Sequence, residues 1–319
     1  MKDSKKGLLL GLMMAAWFAS ASSSFAQGIP ALPHTRMSGT PQPPKTTMTP
    51  TGTWLPKSIG YLKASNTGKD NQFGAAVALS ADGKTLAVGA ISEGSGAKGV
   101  NGVSKDSAVN SGAVYIYTRD NQGWKQQAYL KASNTAEGAQ FGNALSLSAD
   151  GNVLAVASTG EASSATGVNG NQNDRSMPSA GAVYVFSRSG TSWSQQAYLK
   201  ASNAGGPDIG YQFGYALSLS SDGNTLAVSQ TSDPSNGTGI NGDQKNTSTP
   251  EAGAVFVFSH SGGNWSQQAY IKPWNTTAAN LLFGYSVGLN GDGNVLAVGA
   301  YNDEGRRGGV YVFTRSNGT

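Results

Sequence analysis

The chain has 319 residues, of which 44 are Gly, 13% are charged, 38% are apolar and none is Cys. A disulfide framework, a thiolate metal site, a cysteine nucleophile and a lipid carried on cysteine are all excluded. The net charge is +4, and Lys2, Lys5 and Lys6 against Asp3 supply +2 of it, so the remaining +2 leaves no electrostatic footprint for nucleic acid.

Residues 1–26 read as an export signal: a basic head, an apolar run from Gly7 to about Ala19, and small residues at the third and first positions before a cut after Ala26. The run is shorter than the ~20 residues a spanning helix needs. The mature protein is therefore expected to be periplasmic or secreted, with no membrane anchor once the signal is removed. Residues 27–53 contain Pro30, Pro33, Pro41, Pro43, Pro44 and Pro50 among Thr, Ser and Gly, which describes a linker with too little apolar surface to offset its ordering entropy. His34 lies in that linker.

From residue 54 to residue 319 the chain is one unit repeated four times. Tyr61-Leu-Lys-Ala-Ser returns at Tyr129 and Tyr198, and as Tyr-Ile-Lys-Pro-Trp at Tyr270. Phe-Gly stands at Phe73, Phe141, Phe213 and Phe283, and Asp-Gly follows at Asp82, Asp150, Asp222 and Asp292. Leu-Ala-Val comes next at Leu86, Leu154, Leu226 and Leu296, then Gly-Ala-Val-Tyr-Ile-Tyr or a close variant at Gly112, Gly181, Gly253 and Gly308. Each unit predicts four strands, represented in the first by Phe73–Ser80, Thr85–Ala90, Val114–Thr118 and Ala128–Ala132. Asp-Gly between apolar runs marks a tight hairpin, because Gly tolerates the positive φ of the turn. Four four-stranded antiparallel units at ~70-residue spacing predict an all-β propeller.

These elements, in this order, resemble FG-GAP repeats, the blades of integrin α-subunit propellers and of exported bacterial proteins. The bacterial form, with Tyr-Leu-Lys-Ala-Ser-Asn and Ser-x-Asp-Gly-Asn-Thr-Leu-Ala-Val, is the nearer. The resemblance places the Tyr-Leu-Lys strand outermost in its blade. The domain then opens with a spare outer strand, Trp54–Ser65, and its fourth blade lacks one. Pairing the two predicts a closed, monomeric, four-bladed ring. Integrin-like repeats also place several aspartates in the first hairpin as calcium ligands. Here each hairpin offers a single one (Asp82, Asp150, Asp222 or Asp292), against the 6–8 oxygens calcium takes. A plain turn is the expected reading, calcium is the weaker alternative, and no cofactor is expected.

Three loops between second and third strands are long, at 91–111, 159–180 and 231–252, and the fourth is short, at 301–307. Loops of ~20 residues are uncommon without a function. Each carries Gly-Val/Ile-Asn-Gly followed by an acid, so Asn101, Asp106, Asn169, Asp174, Asn241 and Asp243 are candidate ligand contacts, with Asp70 and Asp208 from the blade-joining loops at the same end. The competing reading makes these Asn-Gly pairs turns that order the loops. Trp54, Trp124, Trp193 and Trp265 begin the outer strands, where packing is expected ahead of sugar stacking. Lys63, Lys131, Lys200 and Lys272 recur at one strand position, read as solvent-facing edge protection. His260 sits in a turn.

With no catalytic constellation in the sequence, the expected function is a non-enzymatic, exported binding or adhesion module for an extracellular or envelope protein or a glycan. A polysaccharide hydrolase with an axial carboxylate pair and a purely structural envelope protein are the alternatives.

Overall fold

The computed structural model describes residues 60–104, 107–203, 210–274 and 279–316, all within one compact unit, Lys57–Thr319. The expected signal peptide, the linker, Trp54, Asp106 and Asp208 lie outside the described residues. The regular structure of the described residues is β apart from one short helical turn, Asp303–Arg306. Blade 1 contains β1 (Phe73–Leu79), β2 (Thr85–Ala90), β3 (Ala113–Asp120) and β4 (Gly123–Leu130). Blade 2 contains β5 (Phe141–Leu147), β6 (Val153–Ser158), β7 (Ala182–Ser189) and β8 (Ser192–Leu199). Blade 3 contains β9 (Leu217–Leu219), β10 (Thr225–Gln230), β11 (Ala254–Ser261) and β12 (Asn264–Ile271), and blade 4 contains β13 (Phe283–Leu289), β14 (Val295–Ala300) and β15 (Gly309–Thr314). Within each blade the strands pair antiparallel with their sequence neighbours.

The outer strands start one residue before the repeated tryptophans, as β4 does at Gly123, and so extend ahead of the strand-like run Ala128–Ala132. The first half of β4, Trp-Lys-Gln-Gln, has no apolar alternation and is held as strand by its pairing with β3. Gln127 bulges there, between the pairs Ile116↔Ala128 and Tyr117↔Gln126. The bulge aims its amide at blade 2, where its Oε1 accepts from Trp193 Nε1 at 2.9 Å.

Successive blades pack face to face, and the third strand of each serves two interfaces by alternation. In β7, Ala182, Tyr184 and Phe186 turn toward blade 1 and its Val114, Ile116 and Leu130, while Val183 and Val185 turn toward Phe213 and Phe256 of blade 3. The Phe of each Phe-Gly meets the two aromatics of its own third strand edge-on: Phe141 lies 5.3 Å from Tyr184 and 6.1 Å from Phe186, and Phe213 and Phe283 repeat the arrangement. Such pairs add to plain area burial.

The two end faces are different. Val77 and Leu79 of β1 are 64% and 56% exposed, and Val310 and Val312 of β15 are 70% and 59% exposed. Their counterparts between blades, Leu145 and Leu147 on one side and Val183 and Val185 on the other, are covered. Among the described residues, no sheet packing joins blade 1 to blade 4, and β15 pairs with β14 alone. Residues 60–64 form no strand, although Leu62 and Ala64 pack on blade 1 and Lys63 O accepts from Tyr117 Oη at 2.7 Å.

Gly181 opens β7 with φ +80°, and a Cβ there would lie 2.2 Å from Phe213 O. The left-handed backbone and the close approach of blade 3 both require glycine. Gly181→Ala is expected to cost more than ~1 kcal/mol from the backbone term alone, with the clash added, read as a lower urea midpoint at unchanged m-value.

Candidate functional site

The three long loops meet the blades through a buried charge pair that recurs. Glu93, three residues past β2, takes Lys131 Nζ on Oε2 at 2.7 Å. Glu161 pairs with Lys200 at 2.7 Å, and Asp233 with Lys272 at 3.1 Å. All six side chains are buried. This corrects the reading of the lysines as solvent-facing: only Lys63 is exposed, and the other three point inward to an acid 38 or 39 residues upstream. Each acid is also held by an asparagine from the segment that leads into its blade: Asn66 Nδ2 donates to Glu93 at 3.0 Å, Asn134 to Glu161 at 2.9 Å and Asn203 to Asp233 at 2.6 Å. Burial pushes the Lys200 and Lys272 ammoniums below the ordinary lysine range, and Glu161 and Asp233 pull them partly back.

A second anchor fixes each loop along its outer strand. Asn101 N donates to Tyr129 O at 2.7 Å, Asn101 Oδ1 accepts from Tyr129 N at 2.9 Å, and Val100 bridges Leu130. Asn169 with Tyr198 and Asn241 with Tyr270 repeat the geometry. All three asparagines have left-handed φ of 52–57°, which Asn tolerates better than most residues. The repeated Asn-Gly thus orders the loop against the strand edge, and the three Asn stay exposed on the surface.

Beyond the anchors the loops reach across blades. Gln172 of the second long loop accepts from Ser133 Oγ through its side chain and from Asn134 Nδ2 through its carbonyl. Gln244 of the third accepts from Ser202 Oγ at 2.7 Å. These ties join the second and third loops to the segments that lead from the preceding blade into their own, on the face that carries the long loops. Asp174 on that face accepts from the backbone and hydroxyl of both Ser164 and Ser176. Those bonds, the Ser164 hydroxyl first, hold its carboxyl well below the usual range. Asp243 is exposed and accepts from Lys245 N at 2.9 Å, and Asp70 is exposed with φ 65°.

Two features of this end escaped the sequence reading. Val103, Val109 and Ile240 stand exposed on the long loops. Tyr215, Tyr285 and Tyr301 form a ladder, with ring centroids 5.4 Å and 4.9 Å apart, and its last two rungs line a cavity of about 540 Å³ with Arg306 and Arg307. The signal was the Tyr that follows Phe-Gly in the last two repeats, where the first two have Ala75 and Asn143.

At the opposite end, the hairpin aspartates serve their turns. Asp82 Oδ1 accepts from Ser80 Oγ at 2.6 Å and Lys84 N at 2.9 Å, and Asp150, Asp222 and Asp292 are bound in similar fashion. Among the described residues no group of three or more His, Asp or Glu side chains is placed to hold a metal ion. Trp193 and Trp265 are nearly buried between blades, and His260 Nδ1 lies 3.2 Å from Asn224 Oδ1. No helix among the described residues is long and apolar enough to cross a membrane.

Four antiparallel sheets, built from one repeated unit and packed face to face in chain order, define a repeat protein of the β-propeller type. The repeat itself is the FG-GAP repeat, whose family model matches residues 265–313, from β12 through β15. Among solved structures, the chain is similar to hydrazine synthase of Kuenenia stuttgartiensis, with 15% identity, a TM-score of 0.44, and 81% of this chain and 51% of that one covered. It is also similar to the Dos1 propeller, with 12% identity, a TM-score of 0.41 and coverage of 76% and 41%. A third is Sqt1 of Saccharomyces cerevisiae, with 12% identity, a TM-score of 0.36 and coverage of 75% and 47%. The chain spans about half the length of the structures it matches. A comparison with curated proteins finds no match.

Two outcomes follow from the site's electrostatics. Lys200→Met leaves Glu161 buried without its counter-charge and is expected to cost ~3–5 kcal/mol, whereas Lys200→Met with Glu161→Leu is expected to recover most of that loss, both read by urea unfolding. The second concerns acid. The Ser80 hydroxyl holds Asp82 below its ordinary value, the Asn294 amide does so for Asp292, and the Ser164 hydroxyl does so for Asp174. A depressed folded-state value gives stability that is complete above the unfolded value near 3.9 and is lost as pH falls through the folded one. The urea midpoint is therefore expected to be flat from pH 7 to about 5 and to fall below about 4, with a shallower acid limb in Asp174→Asn.

Proposed function

We propose that this FG-GAP repeat protein is an exported, non-enzymatic binding module that engages an extracellular or envelope protein or glycan through its long-loop face. The observation that carries the reading is the bracing of three long loops by the same two devices. A buried lysine–carboxylate pair fixes the start of each loop, and an asparagine bridge fixes its middle to an outer strand. Loops held this way present side chains with little ordering entropy left to lose, which is what a recognition surface needs. The cross-blade bonds of Gln172 and Gln244 extend that order over neighbouring blades. The Tyr215–Tyr285–Tyr301 ladder offers aromatic faces at the same end for a sugar ring. The leader read at residues 1–26 supports a place outside the cytoplasm.

Binding to a glycan array and to purified envelope proteins tests this with two proteins: the wild type, and a variant with residues 103–108, 171–177 and 243–248 each replaced by a short Gly-Ser link. That variant keeps Glu93, Glu161, Asp233 and the three bridging asparagines, so its unfolding midpoint is expected to stay close to wild type while binding falls at least tenfold. Equal binding by the two proteins overturns the proposal.

A further inference from the structure

The pair that recurs in blades 1 to 3 is present in blade 4 as two separated halves. Asp303 stands three residues past β14, as Glu93, Glu161 and Asp233 stand past β2, β6 and β10. It is buried, accepts from Tyr311 Oη at 2.7 Å and from Glu304 N at 2.9 Å, and has no lysine or arginine in ion-pair range among the described residues. Lys63 follows Tyr61-Leu62 as Lys131 follows Tyr129-Leu130. It is exposed, with its Nζ over the ring of Tyr61. Tyr61 is itself 81% exposed, where Tyr198 and Tyr270 are fully buried. A lysine without an acid and an acid without a lysine therefore occupy equivalent places at the two ends of the domain.

Two more halves match. The outer edge of β15 is unpaired among the described residues, whereas β3, β7 and β11 each carry an outer strand. Between blades 3 and 4 lies an apolar cavity of about 390 Å³ lined by Ala269, Ile271, Leu289, Leu296 and Phe313. The corresponding space between blades 1 and 2 is filled by Trp193 of β8, and that between blades 2 and 3 by Trp265 of β12. The tryptophan expected from the sequence to start the spare outer strand, Trp54, lies outside the described residues. The exposed apolar faces, Val77 and Leu79 at one end and Val310 and Val312 at the other, are the two sides of the interface already made three times inside the chain.

We propose that two copies of this chain join head to tail, with Tyr61–Ala64 of each seated along the open edge of β15 in blade 4 of the other and Lys63 of each pairing with Asp303 across the joint. By the register of β3 with β4, Tyr61 falls opposite Tyr311 and Leu62 opposite Val310. The second copy is preferred to closure within one chain because three interfaces of one pattern relate the four blades, and after them both end faces are still open. Closure in one chain would require those interfaces to yield. A second copy repeats their contacts and changes none. Each copy uses both of its described end faces once, so the pair is closed on itself.

Sedimentation velocity on residues 27–319 reads the result directly. The wild type is expected at twice the monomer mass, and Lys63→Asp and Asp303→Lys are each expected as monomers, with like charges facing at both joints. Mixing those two variants is expected to restore the dimer. One joint is then native and the other charge-reversed, an outcome closure within one chain does not produce. Val77→Asp and Val312→Asp alter side chains already in solvent, so these variants are expected to keep the fold and lose the dimer even if a charge variant fails to fold. A monomeric wild type, dimeric charge and valine variants, or folded charge variants that stay monomeric when mixed would each overturn the proposal.

Discussion

A sheet that is apolar on both faces must be covered on both, and that constraint organises the whole domain. The second and third strands of blades 2 and 3 are buried almost end to end, so no blade can stand alone. The Val-Tyr-Val-Phe pattern divides the burden: aromatic positions fill the space shared with the preceding blade, and β-branched positions fill the space shared with the next. Burial of one such side chain is worth ~1.5–3 kcal/mol, and several recur at every interface, so face packing far outweighs the ~0.2–1 kcal/mol of an individual cross-strand pair. The stacking of blades, more than hydrogen bonding within them, holds the order of the repeats.

The buried lysine–carboxylate pairs are a different kind of element. Two charges removed from water regain their desolvation cost only with good geometry and further hydrogen bonds, and apolar residues of similar volume often serve stability equally well. Each acid here has those extra bonds, from a lysine of its own blade and an asparagine on the segment before it. The pair is better understood as a positional device. It ties one loop, one outer strand and one blade junction to a single point, which an apolar contact, lacking direction, would not do.

Much of the architecture was legible because strand patterning is local. Phe-Gly, Asp-Gly and Gly-Ala-Val-Tyr each report backbone requirements within a few residues, and they located the first three strands of each blade closely, except that β9 starts at Leu217 and not at Phe213. The outer strands were marked only by the repeat of their opening tryptophans, since Trp-Lys-Gln-Gln owes its conformation to a partner strand and carries no alternation of its own. The recurring lysines were misjudged for a related reason. A lysine at a strand end looks like edge protection unless its acid is known, and the acid lies 38 or 39 residues away, as Glu in two blades and Asp in a third. A regularity was nonetheless present: an acid three residues past every second strand, at 93, 161, 233 and 303. The same distance hid the role of Asn101, Asn169 and Asn241, which reads as a simple turn until the neighbouring strand is in place.

Edge protection does exist in this fold, but the loops provide it. An outer strand offers unpaired N–H and C=O groups, which invite non-specific pairing. The Gly-Val/Ile-Asn-Gly segments satisfy part of that edge in three blades, bridging Leu130, Leu199 and Ile271. Blade 4 has neither an outer strand among the described residues nor a long loop, since only residues 301–308 separate β14 from β15. Its open edge, its uncovered valines and its unpaired buried acid therefore coincide at one place. Three blades seal their edges with their own chain, while among the described residues the fourth keeps an open edge beside a buried acid, and the proposed pairing with Lys63 rests on that coincidence.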